Sequence, residues 1–176
     1  MFRRRRVAAV VVTAVAVAVA GASAFAATNP TVKMRDACDA ESFNAAVGPG
    51  TCVDAGNVTF DDFVDSLVMH QNHPLWDFTP TTRTVELGST VEVANVGGEF
   101  HTFSRTDEFG GGFVDFLNDI LGLTTIADGC LEPPGPTNAF VDAGETGTIS
   151  TTALGRGTHN FICCIHPWMQ STLTVR

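Results

Sequence analysis

The second half of the chain alternates apolar and polar residues along several short segments, and this constrains the fold more than any other feature. Between Thr90 and Ala94, for example, Val91 and Val93 are separated by polar residues. A period of two residues is typical of strands that bury one face. Thr- and Val-rich or aromatic segments follow at residues 100–103, 139–154, 158–164 and 171–175, with turn residues between them. The pattern predicts an all-β sandwich of two packed sheets.

Two segments have helical spacing instead and are predicted to be small insertions into the sandwich. Over residues 59–69, apolar side chains recur at intervals of three and four residues, which is the stripe of an amphipathic helix. Thr59 followed by Asp62 resembles a capping box at its start. The same spacing over residues 113–122 predicts a second short helix. Residues 27–57 are polar and contain a Gly-Pro-Gly turn, so we expect a loop-rich extension there.

The N-terminus has the three parts of a secretory signal peptide. Four arginines, Arg3 to Arg6, precede an uncharged Ala- and Val-rich run over residues 7–27. Ala24 and Ala26 fit a small-residue cleavage site, so residues 1–26 are expected to be removed. The alternative is an uncleaved membrane anchor, since the run is just long enough to span a bilayer. We expect a mature chain that has no membrane span and is exported to the periplasm or the extracellular space.

The charge of the chain excludes nucleic acid as a partner. The formal net charge is −9, and removal of residues 1–26 leaves six basic and 19 acidic side chains, a net charge of −13. An acidic protein without a basic block in its body is a poor nucleic-acid binder. Only 16% of the residues are charged while 44% are hydrophobic. These proportions favour one folded domain over a disordered chain.

Near the C-terminus, a thiolate, an imidazole and a thioether occur within a short segment. Cys163, His166 and Met169 have the spacing C-x2-H-x2-M, the first at the end of a predicted strand and the others on a tight loop. His101 follows a strand and a glycine turn, and it supplies a second imidazole. Two imidazoles, a thiolate and a weak thioether are the ligand set of a blue-copper electron-transfer site. Pro167 restricts the loop beside His166 and should help to hold its geometry.

The copper loop resembles that of the cupredoxins, the plastocyanin and azurin family, and its C-x2-H-P-x-M pattern is most similar to amicyanin. The segment 95–103, N-x-G-x-x-x-H-T-F, resembles the first-histidine loop of the same family. The resemblance covers residues 76–176 and implies a Greek-key β-sandwich. It also implies that the chain carries single electrons on one type 1 copper, with the ligands His101, Cys163, His166 and, axially, Met169.

The signal-peptide pattern and the resemblance together divide the chain into a signal peptide at 1–26, an N-terminal extension with a short helix at 27–75, and a copper-binding domain at 76–176. The extension and an insertion near residues 107–135 depart from the family pattern, and either cover the copper face or replace its docking surface. In the family, an apolar patch around the exposed ligand histidine binds redox partners. Trp168 is a candidate for that patch or for packing under the insertions. We expect a monomer that meets another redox protein transiently.

The chain has five cysteines, so at least one lies outside any internal disulfide. Cys163 and Cys164 are adjacent, and neighbours on a strand point to opposite faces, so only one of them faces the metal. The family spacing selects Cys163. Cys164 is then free to pair with Cys130, and Cys38 with Cys52, which is one of the three pairings that four cysteines permit. Disulfides persist in the oxidising compartments that exported proteins reach.

Two other functions share some of these features. A copper carrier or buffer would use the same ligands without an electron-transfer role. An enzyme is not expected, because multicopper enzymes need further histidine-rich sites and the chain has five histidines. His70 and His73 are candidates for a second metal, although solvent-facing histidines at a helix end are the commoner case. His159 is expected to be structural, and Asn95 is a candidate to tie the two ligand loops together.

Overall fold

Two β-sheets packed face to face form the body of the molecule. The computed structural model describes residues 29–53 and 56–176. The first sheet contains β1 (Thr31–Arg35), β2 (Asp77–Thr79), β4 (Thr90–Asn95) and β7 (Thr146–Ser150), in the spatial order β2-β1-β4-β7. The second sheet contains β3 (Thr82–Val85), β5 (His101–Thr106), β6 (Asn138–Val141), β8 (Gly157–Ile162) and β9 (Gln170–Val175), in the order β3-β9-β8-β5-β6.

The connections between strands repeatedly change sheet. The chain crosses from one sheet to the other after β2, β3, β4, β6 and β7. Strand β1 runs parallel to β4, and β3 runs parallel to β9, while the other paired strands are antiparallel. This topology confirms the predicted all-β Greek-key sandwich with small helical insertions.

The core between the sheets is built from the inward-facing residues that the alternation predicted. Val91 and Val93 on β4 are fully buried, in one hydrophobic cluster with the rings of Phe103 and Phe161 from the other sheet. The rings of Phe103 and Phe161 stack with centroids 4.3 Å apart, and Phe78 meets Phe103 edge-on at 5.0 Å. Fully burying an apolar side chain of this kind stabilises the fold by about 1.5 to 3 kcal/mol. Because this core spans both sheets, it fixes the strand ends that carry the candidate ligands.

In the described part of the chain, four short α-helices lie outside the two sheets: α1 (Ala40–Ala46), α2 (Phe60–His70), α3 (Asp115–Leu121) and α4 (Thr151–Leu154). A 3-10 helix lies at Asp128–Leu131. Helices α2 and α3 confirm the two that the spacing predicted. At the start of α2, the Thr59 hydroxyl accepts the Asp62 N–H at 3.2 Å, as the capping pattern indicated. Helix α2 packs against both α1 and α3. The three helices therefore form one layer, which we call the helical cap.

The loop-rich prediction for residues 27–57 was wrong, because this segment contains β1 and α1. Along β1 the side chains of Val32 and Met34 are buried and those of Lys33 and Arg35 are exposed, so the period of two is present but spans few residues. Strand β1 lies between β2 and β4. The sandwich therefore includes residues on the N-terminal side of position 76, where the sequence division begins the domain.

The segment 139–154 was predicted to form one or two strands around a turn at Gly144. It contributes to β6 and β7, but its last four residues are helical instead. Strand β7 ends at Ser150, whose hydroxyl accepts the N–H of Ala153 at 3.3 Å and starts α4. A serine at this position supplies an N-terminal cap, which competes with continued pairing of the strand. The Thr151 hydroxyl is directed to backbone carbonyls of the β3–β4 turn, which anchors this turn of helix.

Both predicted disulfides are confirmed. Cys38 is bonded to Cys52 and Cys130 to Cys164, while Cys163 is free and buried.

Within the described residues, no helix is long and apolar enough to cross a membrane. The signal peptide expected at residues 1–26 lies outside the described part of the chain.

Removing the disulfide that closes the longer loop should lower the free energy of unfolding more than removing the disulfide that closes the shorter loop. The pair Cys130→Ala/Cys164→Ala releases a 34-residue loop, which lowers the free energy of unfolding by about 4 kcal/mol. The pair Cys38→Ala/Cys52→Ala releases 14 residues and costs about 3 kcal/mol. Denaturant unfolding of the metal-free wild type and of both variants measures these values. Cys163 is retained in each variant, so only the disulfide differs from the wild type. Unchanged stability in both would contradict the assignment.

Candidate metal centre

Three side chains that could bind a metal converge at one end of the sandwich. They are His101 at the start of β5, Cys163 just after β8, and His166 on the loop between β8 and β9. The Cys163 Sγ lies 3.6 Å from His101 Nδ1 and 3.9 Å from His166 Nδ1, and the two nitrogens are 3.3 Å apart. All three residues are almost completely buried.

The spacing of the three ligand atoms fits a single ion. A point in their plane lies about 2.1 Å from each of them, which is the length of a bond between an imidazole nitrogen and a metal. A site with one thiolate and two imidazoles suits copper, because thiolate favours Cu(I) and imidazole suits copper in general. The residues present therefore fit the metal that the sequence resemblance implies.

The strand pairing explains why His101 meets Cys163. Strands β5 and β8 are antiparallel, so the end of β8 lies beside the start of β5. Thr102 joins the two segments directly. Its hydroxyl accepts the N–H of Cys164 at 2.8 Å, and its own N–H points at the Cys163 sulfur at 3.5 Å. The structure thus assigns to Thr102 the tie between ligand segments that the sequence suggested for Asn95.

Asn95 has a different role, in the turn that leads to His101. Its side-chain NH2 group donates to the carbonyls of Glu99 and Val141, at 2.7 and 3.0 Å. Its side-chain oxygen accepts the N–H of Gly97 at 3.0 Å. Asn95 therefore shapes the 97–99 turn and joins it to β6, while the ligand loop of Cys163 is held elsewhere.

The loop that carries His166 closes on itself. The Cys163 N–H donates to the carbonyl of Met169 at 3.0 Å, and the Met169 N–H donates to the carbonyl of His166 at 2.9 Å. The Gln170 side chain donates to the Pro167 carbonyl at 2.9 Å. Met169 is 1% exposed, so its thioether is buried at the same end of the sandwich.

Each histidine contacts a buried carboxylate through the ring nitrogen that faces away from the thiolate. His101 Nε2 is 2.9 Å from an oxygen of Asp36, just after β1, and both side chains are fully buried. His166 Nε2 is 3.4 Å from an oxygen of Glu99, which also accepts the indole N–H of Trp76 at 2.6 Å. The sequence did not single out Asp36, Glu99, Trp76 or Thr102.

The electrostatics of the cluster favour a thiolate. Burial alone would raise the pKa of Cys163, but hydrogen bonds and charge from His101 and His166 outweigh burial and lower the pKa well below its usual value. Burial would lower the pKa of His101, yet Asp36 and Cys163 raise it to about 9. The pKa of Asp36 falls to about 2, because hydrogen bonds from His101, Gly98 and Glu99 overcome its burial. Burial raises the pKa of Glu99.

The helical cap covers this end of the sandwich. Phe63 of α2 contacts the His166 ring edge-on at 6.2 Å, and Trp168 contacts it at 5.3 Å. His166 is only 2% exposed as a result. The extension therefore covers the candidate metal face, which is one of the two outcomes the sequence left open. Trp168 is half-buried and packs against Phe63.

A cleft in the helical cap leads from the surface to His166. Its volume is about 520 Å³, and it lies between α1, α2 and α3. The floor includes His166, Glu99 and Ile165, and the walls are mostly apolar side chains of the cap, among them Val47 and Phe116. This cleft is the approach to His166.

The other histidines lie outside the cluster. His73 is buried rather than solvent-facing, packs against Trp76 with ring centroids 4.6 Å apart, and accepts the Leu75 N–H at its Nδ1. His70 is exposed at the end of α2, and His159 contacts the Gly155 carbonyl at 3.0 Å. A second group of possible ligand atoms, Asp36, Cys38 and Glu99, includes a sulfur already bonded in a disulfide.

We predict that the Thr102 hydroxyl stabilises the ligand segments in the metal-free protein. Thr102→Val keeps the shape but leaves the buried Cys164 N–H without its acceptor, so the free energy of unfolding should fall by about 1 to 3 kcal/mol. Thr102→Ser keeps the hydroxyl and is the matched control. Denaturant unfolding of both variants measures the difference, and equal stability of the valine and serine variants would refute this role.

Comparison with known proteins gives matches among solved structures alone. No protein-family model and no curated protein sequence matches the chain. A purple cupredoxin from Nitrosopumilus maritimus matches with a TM-score of 0.46 at 13% identity, covering 84% of this chain and 100% of the other. An oxidised plastocyanin from Dryopteris crassirhizoma matches with a TM-score of 0.40 at 16% identity, covering 83% and 99%.

A Cu(I) form of an amicyanin mutant matches with a TM-score of 0.37 at 18% identity, covering 57% of this chain and 73% of the other. All three TM-scores lie below 0.5, so the fold is assigned from the strand order and the side-chain cluster of this chain. Its two packed sheets, with the Greek-key strand order and with histidine, cysteine and histidine converging at one end, give the chain a cupredoxin-like fold.

Proposed function

We propose that the protein is an exported electron carrier with a single type 1 copper. In this proposal His101, Cys163 and His166 would bind the metal, and the Met169 thioether would supply a weak fourth ligand. The observation that carries the proposal is the convergence of one thiolate and two imidazole nitrogens, 3.3 to 3.9 Å apart, in a buried cluster. Copper bound there would supply a centre that accepts and releases one electron.

The support around the ligands favours electron transfer over a carrier or buffer role. The thiolate is fully buried, the ligand loop is closed by its own hydrogen bonds, and both imidazoles have carboxylate contacts. Ligands held in this way change little between oxidation states, which suits a carrier of electrons. A protein that hands over copper would need ligands that a partner's side chains can reach and replace, and His166 is only 2% exposed at the floor of the cleft.

The walls of the cleft favour a docking surface over an enzyme active site. Among the described residues that line it, Glu99 and His166 are the only ionisable ones. Both already contact each other, and Glu99 also accepts the Trp76 N–H. The remaining lining is almost wholly apolar, so the cleft suits an apolar side chain of a partner. We therefore propose that the chain is not itself an enzyme.

The charge of the helical cap indicates which partner would dock. All six Asp and Glu side chains on α1, α2 and α3 are exposed, and these helices contain no Lys or Arg. The six acidic residues are Glu41, Asp61, Asp62, Asp65, Asp115 and Asp119. We infer a redox protein that places an apolar side chain in the cleft and surrounds it with basic residues. Electrons would then pass through His166, which forms part of the cleft floor.

The two disulfides support export, because such bonds persist in oxidising compartments. The Arg-rich and then apolar N-terminus supports the same route, with cleavage after residue 26. We propose a periplasmic or extracellular monomer that forms brief complexes, as an electron carrier must release its partner after each transfer.

Addition of Cu(II) to the purified metal-free protein should produce strong visible absorption from a thiolate–copper bond. Cys163→Ser removes the thiolate and should abolish the colour, and His101→Ala should reduce or abolish it. His159→Gln is the matched control, because His159 contacts the Gly155 carbonyl and lies outside the cluster. Visible spectra and copper content per chain measure the outcome. A colourless wild-type protein that binds copper would refute the type 1 assignment.

Electron transfer from the reduced protein to a basic c-type cytochrome should slow as salt is added. The Debye length falls from about 30 Å at 0.01 M to about 8 Å at 0.15 M ionic strength, which screens the acidic cap. The pair Asp61→Asn/Asp65→Asn should lower the rate several-fold at low salt. The pair Glu86→Gln/Glu92→Gln removes equal charge from the β3–β4 turn and β4 and is the control. Stopped-flow rates that respond equally to both pairs would contradict docking on the cap.

A further inference from the structure

We propose that Asp36 and Glu99 are positioning residues for the two ligand histidines and that their charges hold the bound metal toward its oxidised state. This inference rests on the proposed function. It assigns a role to two buried carboxylates, one from the N-terminal segment and one from the turn before His101. The expected consequence is a lower reduction potential than the same ligands would have without them.

Asp36 is held in place by backbone donors as well as by the histidine. One carboxylate oxygen accepts the Gly98 N–H at 2.9 Å, and the other accepts the Glu99 N–H at 3.1 Å and faces His101 Nε2 at 2.9 Å. A Cβ on Gly97 would collide with this carboxylate, so the turn approaches it as closely as a glycine allows. The Asp36 carboxylate therefore orients the His101 ring through Nε2, the nitrogen on the side away from Cys163.

Glu99 makes the corresponding contact with His166. Its Oε2 accepts the Trp76 indole N–H at 2.6 Å and lies 3.4 Å from His166 Nε2. Trp76 is itself 1% exposed and packs against Phe43 of α1 and Phe63 of α2. The Glu99 carboxylate is therefore held in place by a residue that packs on the helical cap. The helical cap thus contributes to the orientation of a ligand that it does not supply.

The two contacts select one ring nitrogen of each histidine for the metal. A neutral imidazole has one N–H, and a carboxylate beside Nε2 keeps that hydrogen on Nε2. Nδ1 is then left with its lone pair directed toward Cys163, which is the arrangement of all three ligand atoms here. Both histidines therefore present the same nitrogen for the same reason.

The charges also act on the metal. With the Cys163 thiolate, two carboxylates place three negative charges around one ion, and all three groups are buried. Among the described residues, neither Asp36 nor Glu99 has an Arg or Lys partner, whereas Asp77 pairs with Arg35. Uncompensated negative charge in a poorly solvated site stabilises the ion of higher charge more than the ion of lower charge.

Amide variants separate the charge of each carboxylate from its contact with the histidine. In Asp36→Asn and Glu99→Gln, one oxygen remains that can still face the histidine nitrogen, so the rings keep their acceptor but lose a negative charge. Each variant should lower the ratio of Cu(II) to Cu(I) affinity by roughly tenfold, which raises the reduction potential by about 59 mV. Voltammetry and competition titrations with the two copper ions measure the shift.

Asp128→Asn is the control for the loss of one hydrogen-bonded carboxylate. Asp128 accepts the Asp107 N–H at 3.0 Å and the Thr106 hydroxyl, and it contacts neither histidine. Its variant should leave the potential unchanged. Shifts in Asp36→Asn and Glu99→Gln that are no larger than in Asp128→Asn would overturn the role of charge.

Asp36→Ala removes the acceptor as well and tests the positioning role. Nitrogen NMR of the zinc-loaded protein should detect Nε2-bound hydrogens on both rings, and in Asp36→Ala the His101 hydrogen should exchange faster while that of His166 does not change. Zinc bound through Nε2, or equal exchange in wild type and Asp36→Ala, would overturn positioning. If the wild type gives no copper colour, the proposed function fails, and the zinc spectra still test the two carboxylates.

Discussion

The arrangement of the molecule depends on satisfying a polar cluster inside an apolar sandwich. Two imidazoles, a thiol and two carboxylates are buried at one end of the core, and burying such groups without partners would cost several kcal/mol each. Every partner comes from a different segment: Asp36 follows β1, Glu99 lies in the turn before β5, and His166 lies between β8 and β9. The Asp36 carboxylate connects most of them, since it accepts two backbone N–H groups and contacts His101. The first strand, the turn and the ligand are thus parts of one network.

The elements that the sequence predicted are those whose residue pattern lies within a short stretch of the chain. Alternation and helical spacing are visible within ten residues, so the sandwich, α2 and α3 followed from them, and the resemblance of two short motifs indicated His101, Cys163 and His166 as ligands. Asp36 could not be found in this way, because it is 65 residues from His101 and becomes its partner only after β1 pairs with β4. Thr102 was adjacent to a predicted ligand, yet its hydrogen bond to Cys164 depends on the pairing of β5 with β8. Glu99 had a local signal, an acidic residue two positions before His101, but its contact with Trp76 and His166 again depends on tertiary packing.

The helical cap changes how electrons would reach the ligands. In the family that the motifs resemble, the ligand histidine is exposed, whereas His166 here is covered by Phe63 and Trp168. Burial of His166 excludes water from the candidate metal site, which would lower the local dielectric and make the charges of Asp36 and Glu99 more effective. It also leaves the cleft as the approach to His166, so the shape and charge of the cap would select the partner. The same helices would therefore contribute to both the energetics of the site and its recognition.

The different roles of the adjacent residues Cys163 and Cys164 explain how α3 of the helical cap is held at a fixed position relative to the candidate metal site. Cys163 faces the ligand cluster, and Cys164 faces the opposite way and is bonded to Cys130 of the 107–135 insertion. The insertion also contacts the ligand strand through its backbone, since the Phe113 N–H donates to the Cys164 carbonyl at 2.6 Å. Gly112 lies so close to that carbonyl that a Cβ would collide with it. Because α3 begins directly after this contact, its position relative to His166 is tied to the residue next to Cys163. One dipeptide therefore supplies the thiolate and anchors the insertion that forms one wall of the cleft above it.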